Sequence, residues 1–448
     1  MDPLVHALLN PAAYDHPVAE VRLIETHISW VFLTGPFAYK LKKPVNLGFV
    51  DFSSPEQRRC CCEEELRLNR RLAAELYLAV RDIHGPAERA HLGEGGEVID
   101  AVVQMRQFEQ EELLPVVLGR GALRPAHLDA LAEDLARFHS EAAPAGPNDA
   151  WGDPAMVLAP AIANLDTLAR LGCASADGEA LRDWTVREHG RLEPLLEARR
   201  RDRKIRECHG DLHLGNMALR GDRIAVFDCL EFNPSLRWID PISDLAFLVM
   251  DLRERGQDLL ALRLLDRWLE CSGDHSGLPL LPWYLAYRAL VRAKVTGLRL
   301  SQMTDTNQAW ADQQRSLESY LAQARASMAP GRGALLITHG ISGSGKSHAA
   351  RALRDQGWLH LRSDVERLRL FGRWGCTPPQ PPAAEALGTD PYAPAVSDVL
   401  YGTVLLAAAE GALAAGLSVV VDATFLLRQQ RRVFHDLARR RGARFGIL

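Results

Sequence analysis

Lysine is scarce in this chain. Of 53 basic residues only six are lysine: Lys40, Lys42, Lys43, Lys204, Lys294 and Lys346. Where arginine is the default cation, a retained lysine marks a place for a compact ammonium that a planar guanidinium replaces poorly. The eight cysteines, three of them consecutive at Cys60-Cys61-Cys62, show no metal-ligand spacing and no disulfide framework, which fits a reducing cytoplasm. The start, Met1-Asp2-Pro3-Leu4-Val5-His6, lacks a basic segment followed by an apolar one, so no signal peptide is expected. The longest apolar stretch, Val399 to Val421, is interrupted by Glu410, Gly402, Gly411 and Gly416, and reads as a helix, a stop and a strand rather than a membrane span. A formal charge of −4 argues against coating nucleic acid or anionic membrane by bulk positive charge. No internal repeat is present.

What remains is a soluble globular composition, 47% hydrophobic and 25% charged, long enough at 448 residues for two or three domains. A small-residue stretch, 326–333, precedes an apolar strand and separates residues 1–325 from 334–448. The first segment opens with a hairpin, Ile28 to Leu33 and Phe37 to Val45, joined at Thr34-Gly35. A helix from about Pro55 to Leu76 and a strand from Val98 to Met105 follow, and the pattern is mostly helical from Ala126, with a β-like interruption at Ile205 to Phe232. This predicts a small lobe over about 1–108 and a helical lobe over about 109–325. The second segment alternates strands (Ala334 to Thr338, Trp358 to Leu361, Ser418 to Asp422) with helices (Lys346 to Gln356, Ser397 to Ala414) and a Pro-rich loop over Thr377 to Pro394. Such alternation implies a parallel α/β sheet. Arg444 to Leu448 reads as the start of a further strand, so the domain is expected to be cut short.

Gly340-Ile341-Ser342-Gly343-Ser344-Gly345-Lys346-Ser347 satisfies G-x-x-x-x-G-K-[ST] between a strand and a helix. Glycines let backbone N–H groups turn toward phosphate, Lys346 reaches the β/γ-phosphates, and the Ser347 hydroxyl can hold Mg²⁺. Asp364 and Arg367, in Arg362-Ser363-Asp364-Val365-Glu366-Arg367, follow the second strand, at the sheet edge where ligands bind in open α/β folds. There a carboxylate could take a proton from a hydroxyl and an arginine could hold phosphate. Asp422 ends an apolar strand, placed like a Mg²⁺-supporting aspartate.

The second constellation is His209-Gly210-Asp211-Leu212-His213-Leu214-Gly215-Asn216 with Asp228 in Val226-Phe227-Asp228-Cys229. A carboxylate, an amide five positions later and a second carboxylate on the next strand make a hydroxyl-activating base, Asp211, and two Mg²⁺ ligands, Asn216 and Asp228. His209 and His213 are four apart, but Gly210 and Gly215 argue for a loop, and no third ligand is spaced for zinc. Such a site needs a small-lobe lysine paired with a helix glutamate. Lys40 and Lys42 share one strand face, opposite Lys43. Lys40 is matched with Glu65, chosen from Glu63-Glu64-Glu65, and Lys42 stands as the alternative. Thr26 to Ser29 could cover phosphates, and Gln104 to Phe108 is placed like an adenine hinge.

On these residues, H-G-D-x-x-x-x-N with its downstream aspartate resembles the aminoglycoside phosphotransferase family, which shares the protein-kinase-like fold. The resemblance implies Asp211 as base, Asn216 and Asp228 as Mg²⁺ ligands, His209 as a structural partner of the loop, and Asp240 and Asp244 as buried caps. The P-loop segment resembles kinases of the gluconate kinase, zeta toxin and polynucleotide kinase type, with Asp364 as base. Such kinases carry lid arginines beyond the third strand, where only Arg428, Arg431, Arg432 and Arg439-Arg440-Arg441 could serve. The combination resembles a bacterial family of bifunctional aminoglycoside phosphotransferase/ATP-binding proteins. It implies an α+β protein-kinase-like domain followed by an α/β P-loop kinase domain, using ATP and Mg²⁺ to phosphorylate a hydroxyl of a small molecule. Two other readings stay open: a nucleotide-binding regulator with one or both sites impaired, and a polynucleotide 5′-hydroxyl kinase in residues 334–448, where 14 Lys/Arg face 9 Asp/Glu. Aromatic stacking positions for nucleic acid are not evident there, so a small-molecule acceptor is expected.

Overall fold

The computed structural model describes residues 2–46, 48, 51–173, 178–303, 307–376 and 389–448. Most of the Pro-rich loop, 377–388, lies outside them. Contacts divide the chain into two compact units, Met1–Leu123 with His209–Arg237, and Arg124–Cys208 with Trp238–Leu448.

The first unit is built on a five-stranded antiparallel sheet in the order β1-β2-β3-β5-β4. Its strands are β1 (Arg22–Glu25), β2 (Ser29–Leu33), β3 (Phe37–Lys42), β4 (Tyr77–His84) and β5 (Val98–Arg106). The β2–β3 hairpin forms where expected, with Ser29 opposite Lys42 and Leu33 opposite Ala38. Gly35 turns the chain at φ +97°, a conformation that costs glycine little. The long helix of this unit, Pro55–Ala73, starts on a reciprocal cap: Ser54 accepts from the Gln57 amide and the Gln57 side chain accepts from the Ser54 amide. It buries Arg58, Cys62, Glu65, Leu68, Asn69 and Ala73, which recur every three or four residues and so lie on one face. Arg58 holds the buried Asp100 of β5 through both Nε and Nη2, at 2.9 and 2.7 Å from Oδ2. A buried bidentate pair of this kind fixes the helix rotation that aims Glu65 at β3. From the second stretch of chain come the His209–Asn216 loop and a hairpin, Met217–Arg220 with Arg223–Val226.

Among the described residues, the second unit has seven longer helices, Pro125–Glu141, Pro154–Arg170, Gly178–Arg201, Pro241–Glu254, Asp258–Ser272, Leu281–Gln302 and Gln308–Met328, ahead of the α/β segment. That segment carries a four-stranded sheet, all parallel: Leu359–Arg362, Val419–Asp422, Ala334–Ile337 and Arg444–Ile447 in spatial order. The terminal Arg444–Ile447 thus joins the sheet beside the P-loop strand. The apolar stretch identified in the sequence lies in a helix running Pro394–Val399, a π turn at Leu400–Val404 and Leu405–Ala414. It is long and apolar enough to cross a membrane, but half of its apolar window is buried inside the fold.

The Asp258–Ser272 helix is the seat of the P-loop sheet. Asp266 Oδ1 accepts from the His360 amide at 2.7 Å, Glu270 Oε1 pairs with Arg362 at 2.8 Å, and Arg369 donates to the carbonyls of Glu270 and Cys271. Burial pushes Asp266 up to about 7, from a normal carboxylate value of 3.8. The folded state therefore retains a proton that the unfolded chain has lost, and the stability this side chain provides fades as pH rises through about 7. Asp266→Asn keeps an acceptor for His360 and removes the charge. It is expected to stabilise the protein at pH 8 by on the order of 2–4 kcal/mol and to change little near pH 4, read as urea-unfolding midpoints at the two pH values.

Candidate active site

In the first unit, a cleft opens between the sheet and the Phe227–Asp228 segment. Its lining is mostly apolar, with Val31, Leu33, Ala38, Leu76, Phe108 and Phe227, and includes the charged Lys40, Arg106 and Asp228. The segment expected to act as a hinge lines it. Of its amides, Arg106 N donates to Leu76 O, Gln107 N to Pro36 O and Glu109 N to Glu112 Oε2. Among the described residues this leaves the Phe108 amide free to meet the edge of a base. Thr26, in the turn expected over the phosphates, also lines the cleft. That turn is closed by Thr26 itself, whose amide and hydroxyl both donate to Ser29 O.

The two lysine candidates are not alternatives, because both reach Glu65. Lys40 Nζ lies 2.8 Å from Glu65 Oε1 and 2.5 Å from Asp228 Oδ1. Lys42 pairs with Glu65 Oε2 and with Glu231. Against the cost of burial, the charges of Lys40 and Lys42 hold the Glu65 carboxyl down to about 2. Lys40 in turn is desolvated, yet Asp228 and Glu65 keep it protonated well beyond the usual lysine range. Burial, helped by the Glu65 charge, raises Tyr77 well above an ordinary phenol, and its oxygen accepts from the Asp228 amide at 3.3 Å. Lys43 turns away, pairing with Glu25 at 2.6 Å.

The His209–Asn216 loop is self-bonded in a way that explains its spacing. His209 Nδ1 accepts from the Asp211 amide at 3.3 Å, so its Nε2–H donates to Phe227 O at 3.0 Å and ties the loop to the Phe227–Asp228 segment. Gly210, at φ +86°, passes so close to Leu236 that an added Cβ would sit 2.6 Å from its carbonyl oxygen. His213 Nδ1 accepts from the Gly215 amide at 3.0 Å, and its Nε2 faces Asp211 Oδ2 at 3.4 Å. Both rings thus serve the loop rather than a zinc ion. Asn216 Nδ2 donates to Asp211 O and Oδ2, each at 3.0 Å, which points its Oδ1, the metal-binding end, away from the base. With Asp228 half-exposed, these hard oxygen donors suit Mg²⁺.

One cluster in the second unit, His139, Cys208 and Asp244, has the proximity of a metal site. Its hydrogen bonds rule that out. The indole N–H of Trp268, which can only donate, points at His139 Nδ1 at 3.1 Å, so His139 Nε2 carries the proton that it gives to Asp244 at 3.2 Å. His139 thus has no lone pair left for a metal. Asp244 is therefore a buried anchor, as expected, and Asp240 caps its helix through the Ile242 amide.

At the P-loop, Gly340, Gly343 and Gly345 all adopt positive φ, and Gly345 heads the helix Lys346–Arg354. Lys346 Nζ bonds Ile341 O at 2.5 Å and Ser344 Oγ at 3.4 Å, spanning its own loop, while Ser342 is exposed at its rim. Asp422 is buried. Desolvation raises its carboxyl, but hydrogen bonds from His360, at 3.1 Å, and from Ser347 bring it below the usual range. Ser347 and Asp422 thus lie together at the head of the P-loop helix. Asp364 is exposed near this edge. Arg367 is not brought to it: the side chain is buried, its guanidinium bonded to Pro391 O at 2.8 Å and stacked 5.2 Å from the Tyr392 ring. Of the lid candidates, Arg431 is spent on Phe425 O and Leu426 O and Arg441 on Glu410, while Arg428, Arg432, Arg439 and Arg440 are exposed.

Lys40, Glu65 and Asp228 lie in the same unit as the Asp211–Asn216 loop, the residue types that a phosphotransferase of the kinase-like fold combines. Residues 51–281, more than half of the chain, match the phosphotransferase enzyme family, to which the chain belongs, and residues 335–448 match an AAA domain. The uncharacterized protein Rv2004c of Mycobacterium tuberculosis is 36% identical over 361 residues, covering 80% of this chain and 69% of its own. Uncharacterized protein Mb2027c of Mycobacterium bovis matches to the same extent. Among solved structures, a choline/ethanolamine kinase family protein from Mesorhizobium loti covers 72% of this chain and 93% of its own at 14% identity, TM-score 0.43. Aminoglycoside 2′-phosphotransferase-IIIa, solved with GDP, covers 72% and 99% at 15% identity, TM-score 0.44.

Proposed function

We propose that the chain is an ATP- and Mg²⁺-dependent phosphotransferase with two nucleotide sites, and that the cleft of the first unit transfers the γ-phosphoryl group to a hydroxyl of a small molecule in the cytoplasm. The observation that carries this reading is Lys40, held between Glu65 and Asp228 in a cleft whose lining is largely apolar. A lysine so placed can meet α/β-phosphates, and the apolar lining can take the base. Asn216 and Asp228 would hold Mg²⁺, which when bound neutralises charge on the phosphates. Asp211 accepts the proton of the incoming hydroxyl, and the Asn216 amide fixes its orientation. Nothing in the described surface names a nucleic-acid acceptor.

For the P-loop site, the buried Arg367 and the self-bonded Lys346 favour a second reading, in which this module binds nucleotide and regulates without transferring phosphate. Both are tested by measuring ATP consumption against aminoglycosides, small sugars and 5′-hydroxyl oligonucleotides with the intact chain, Asp211→Asn and Lys346→Ala. The expected result is acceptor-dependent turnover that Asp211→Asn removes and Lys346→Ala retains. Turnover that neither substitution changes sinks the enzyme reading, and turnover lost only with Lys346→Ala moves the chemistry to the P-loop.

A further inference from the structure

We infer that Lys42 and Glu231 form a second, inner ion pair that positions the outer Lys40–Asp228 pair for Mg²⁺ and nucleotide; the inference rests on the phosphotransferase reading of the cleft. Only one lysine–glutamate pair is needed to hold phosphates, so two lysines on Glu65 call for an explanation. Both ammoniums reach the single carboxylate because residues two apart on a strand share a face, Lys40 taking Oε1 and Lys42 taking Oε2. With Asp228 taken by Lys40 at the exposed end, Lys42 would compete with Lys40 for Glu65 unless it met an anion of its own. Glu231 supplies the anion. The Lys42 side chain is fully buried and that of Glu231 is 4% exposed, whereas Lys40 is 12% and Asp228 47% exposed. The inner pair therefore cannot touch a ligand, and the outer one can.

Charge follows the same order. Two lysines and three carboxylates leave one surplus negative charge, and the exposure places it on Asp228, where a divalent cation would be met. Glu231 also lies three residues beyond Asp228, so anchoring it pins the intervening loop. Other bonds brace the same loop: Asn69 Oδ1 accepts from the Cys229 amide at 2.9 Å, and Arg237 reaches Glu231 O at 3.0 Å and Glu64 at 2.7 Å. Asp228 has φ +64°, a conformation a non-glycine residue keeps only when its surroundings dictate it. Loss of Glu231 would release one end of that brace and free Lys42 to draw Glu65 from Lys40. Lys42 and Glu231 are thus positioning residues that act through Glu65 and Asp228.

The test uses the full chain carrying Lys346→Ala, so that only the first cleft reports. Two quantities are read: the Mg²⁺ concentration for half-maximal binding of a fluorescent ATP analogue, and the melting temperature. Glu231→Gln is expected to raise the Mg²⁺ midpoint by roughly tenfold or more, the scale on which outer partners of metal ligands act. In Lys42→Met/Glu231→Leu, apolar side chains replace the pair, which restores melting toward the parent while the Mg²⁺ midpoint stays shifted. A parental midpoint in Glu231→Gln, or in a double variant that melts like the parent, overturns the inference and makes the pair a folding element alone. If the double variant does not fold, Glu231→Gln decides by itself. A parent protein whose nucleotide binding neither needs Mg²⁺ nor responds to Asp228→Asn overturns the phosphotransferase reading, and the positioning role with it.

Discussion

Asp211→Asn is expected to lower acceptor phosphorylation by roughly 10²–10⁴-fold, the usual weight of a positioned general base, while nucleotide affinity stays within about threefold. The substitution preserves shape and removes the atom that takes the proton. Asp211 Oδ2 receives the Asn216 amide and faces His213, so the carboxylate is held by donors on one side and presents its remaining lone pairs to the acceptor. An asparagine can satisfy one of those donors but cannot accept a hydroxyl proton at neutral pH. The measurement is a pair of titrations, acceptor turnover under saturating ATP and equilibrium binding of a fluorescent ATP analogue. A parallel fall in both would mean that Asp211 holds nucleotide instead of activating the hydroxyl.

Arg199→Met is expected to cost about 3–5 kcal/mol of stability, enough to leave much of the protein unfolded at 37 °C. Arg199 is buried, with Nε and Nη2 on Asp240 at 2.5 and 2.8 Å and Nη1 and Nη2 on Asp274 at 2.8 and 2.7 Å. Removing the guanidinium strands two carboxylates away from water. Desolvation would raise Asp274, but the Arg199 charge holds it well below the usual carboxylate range. A depressed folded value means the stabilisation is present above about pH 4 and drains away as acid protonates the group. Urea denaturation at pH 7 should therefore separate the variant widely from the parent, and the gap should narrow at pH 3. An unchanged midpoint at pH 7 would show that water or other donors already satisfy both aspartates.

The fold class was legible in the sequence, and the residues singled out for chemistry in the first unit fall together in the structure. Motifs placed Lys40, Glu65, Asp211, Asn216 and Asp228 in one unit because phosphate chemistry restricts residue type and spacing, and those restrictions survive in a string of letters. Glu231, the partner of Lys42, was not singled out in the sequence. A carboxylate three residues past a metal ligand carries no spacing rule, and only burial beside Lys42 reveals its purpose. Lys40 and Lys42 looked like competitors because strand alternation says which face they share and nothing about a carboxylate large enough for both. The strand Tyr77–His84 escaped notice because it is half-buried along most of its length and carries Arg81 and Asp82 midway, which blur the alternation. Arg367 misled for a related reason: spacing set it one helical turn past Asp364, but the Tyr392 ring and Pro391 carbonyl that claim it are distant in sequence.

The seating of the P-loop sheet on the Asp258–Ser272 helix also bears on whether the P-loop half can stand apart. A domain joined to its neighbour by residues 329–333 looks detachable, like a bead on a string. Here the edge strand Leu359–Arg362 hangs its His360 amide on Asp266, and the next helix sends Arg369 to main-chain carbonyls at the C-terminal end of that seat. Severing the chain at the joint would strip an ion pair and backbone hydrogen bonds from the strand whose His360 steadies Asp422. The two halves are thus unequal lodgers: the P-loop half rests part of its own foundation on the helical lobe, so a cut at the joint would free a sheet that lacks the partners its edge strand uses here.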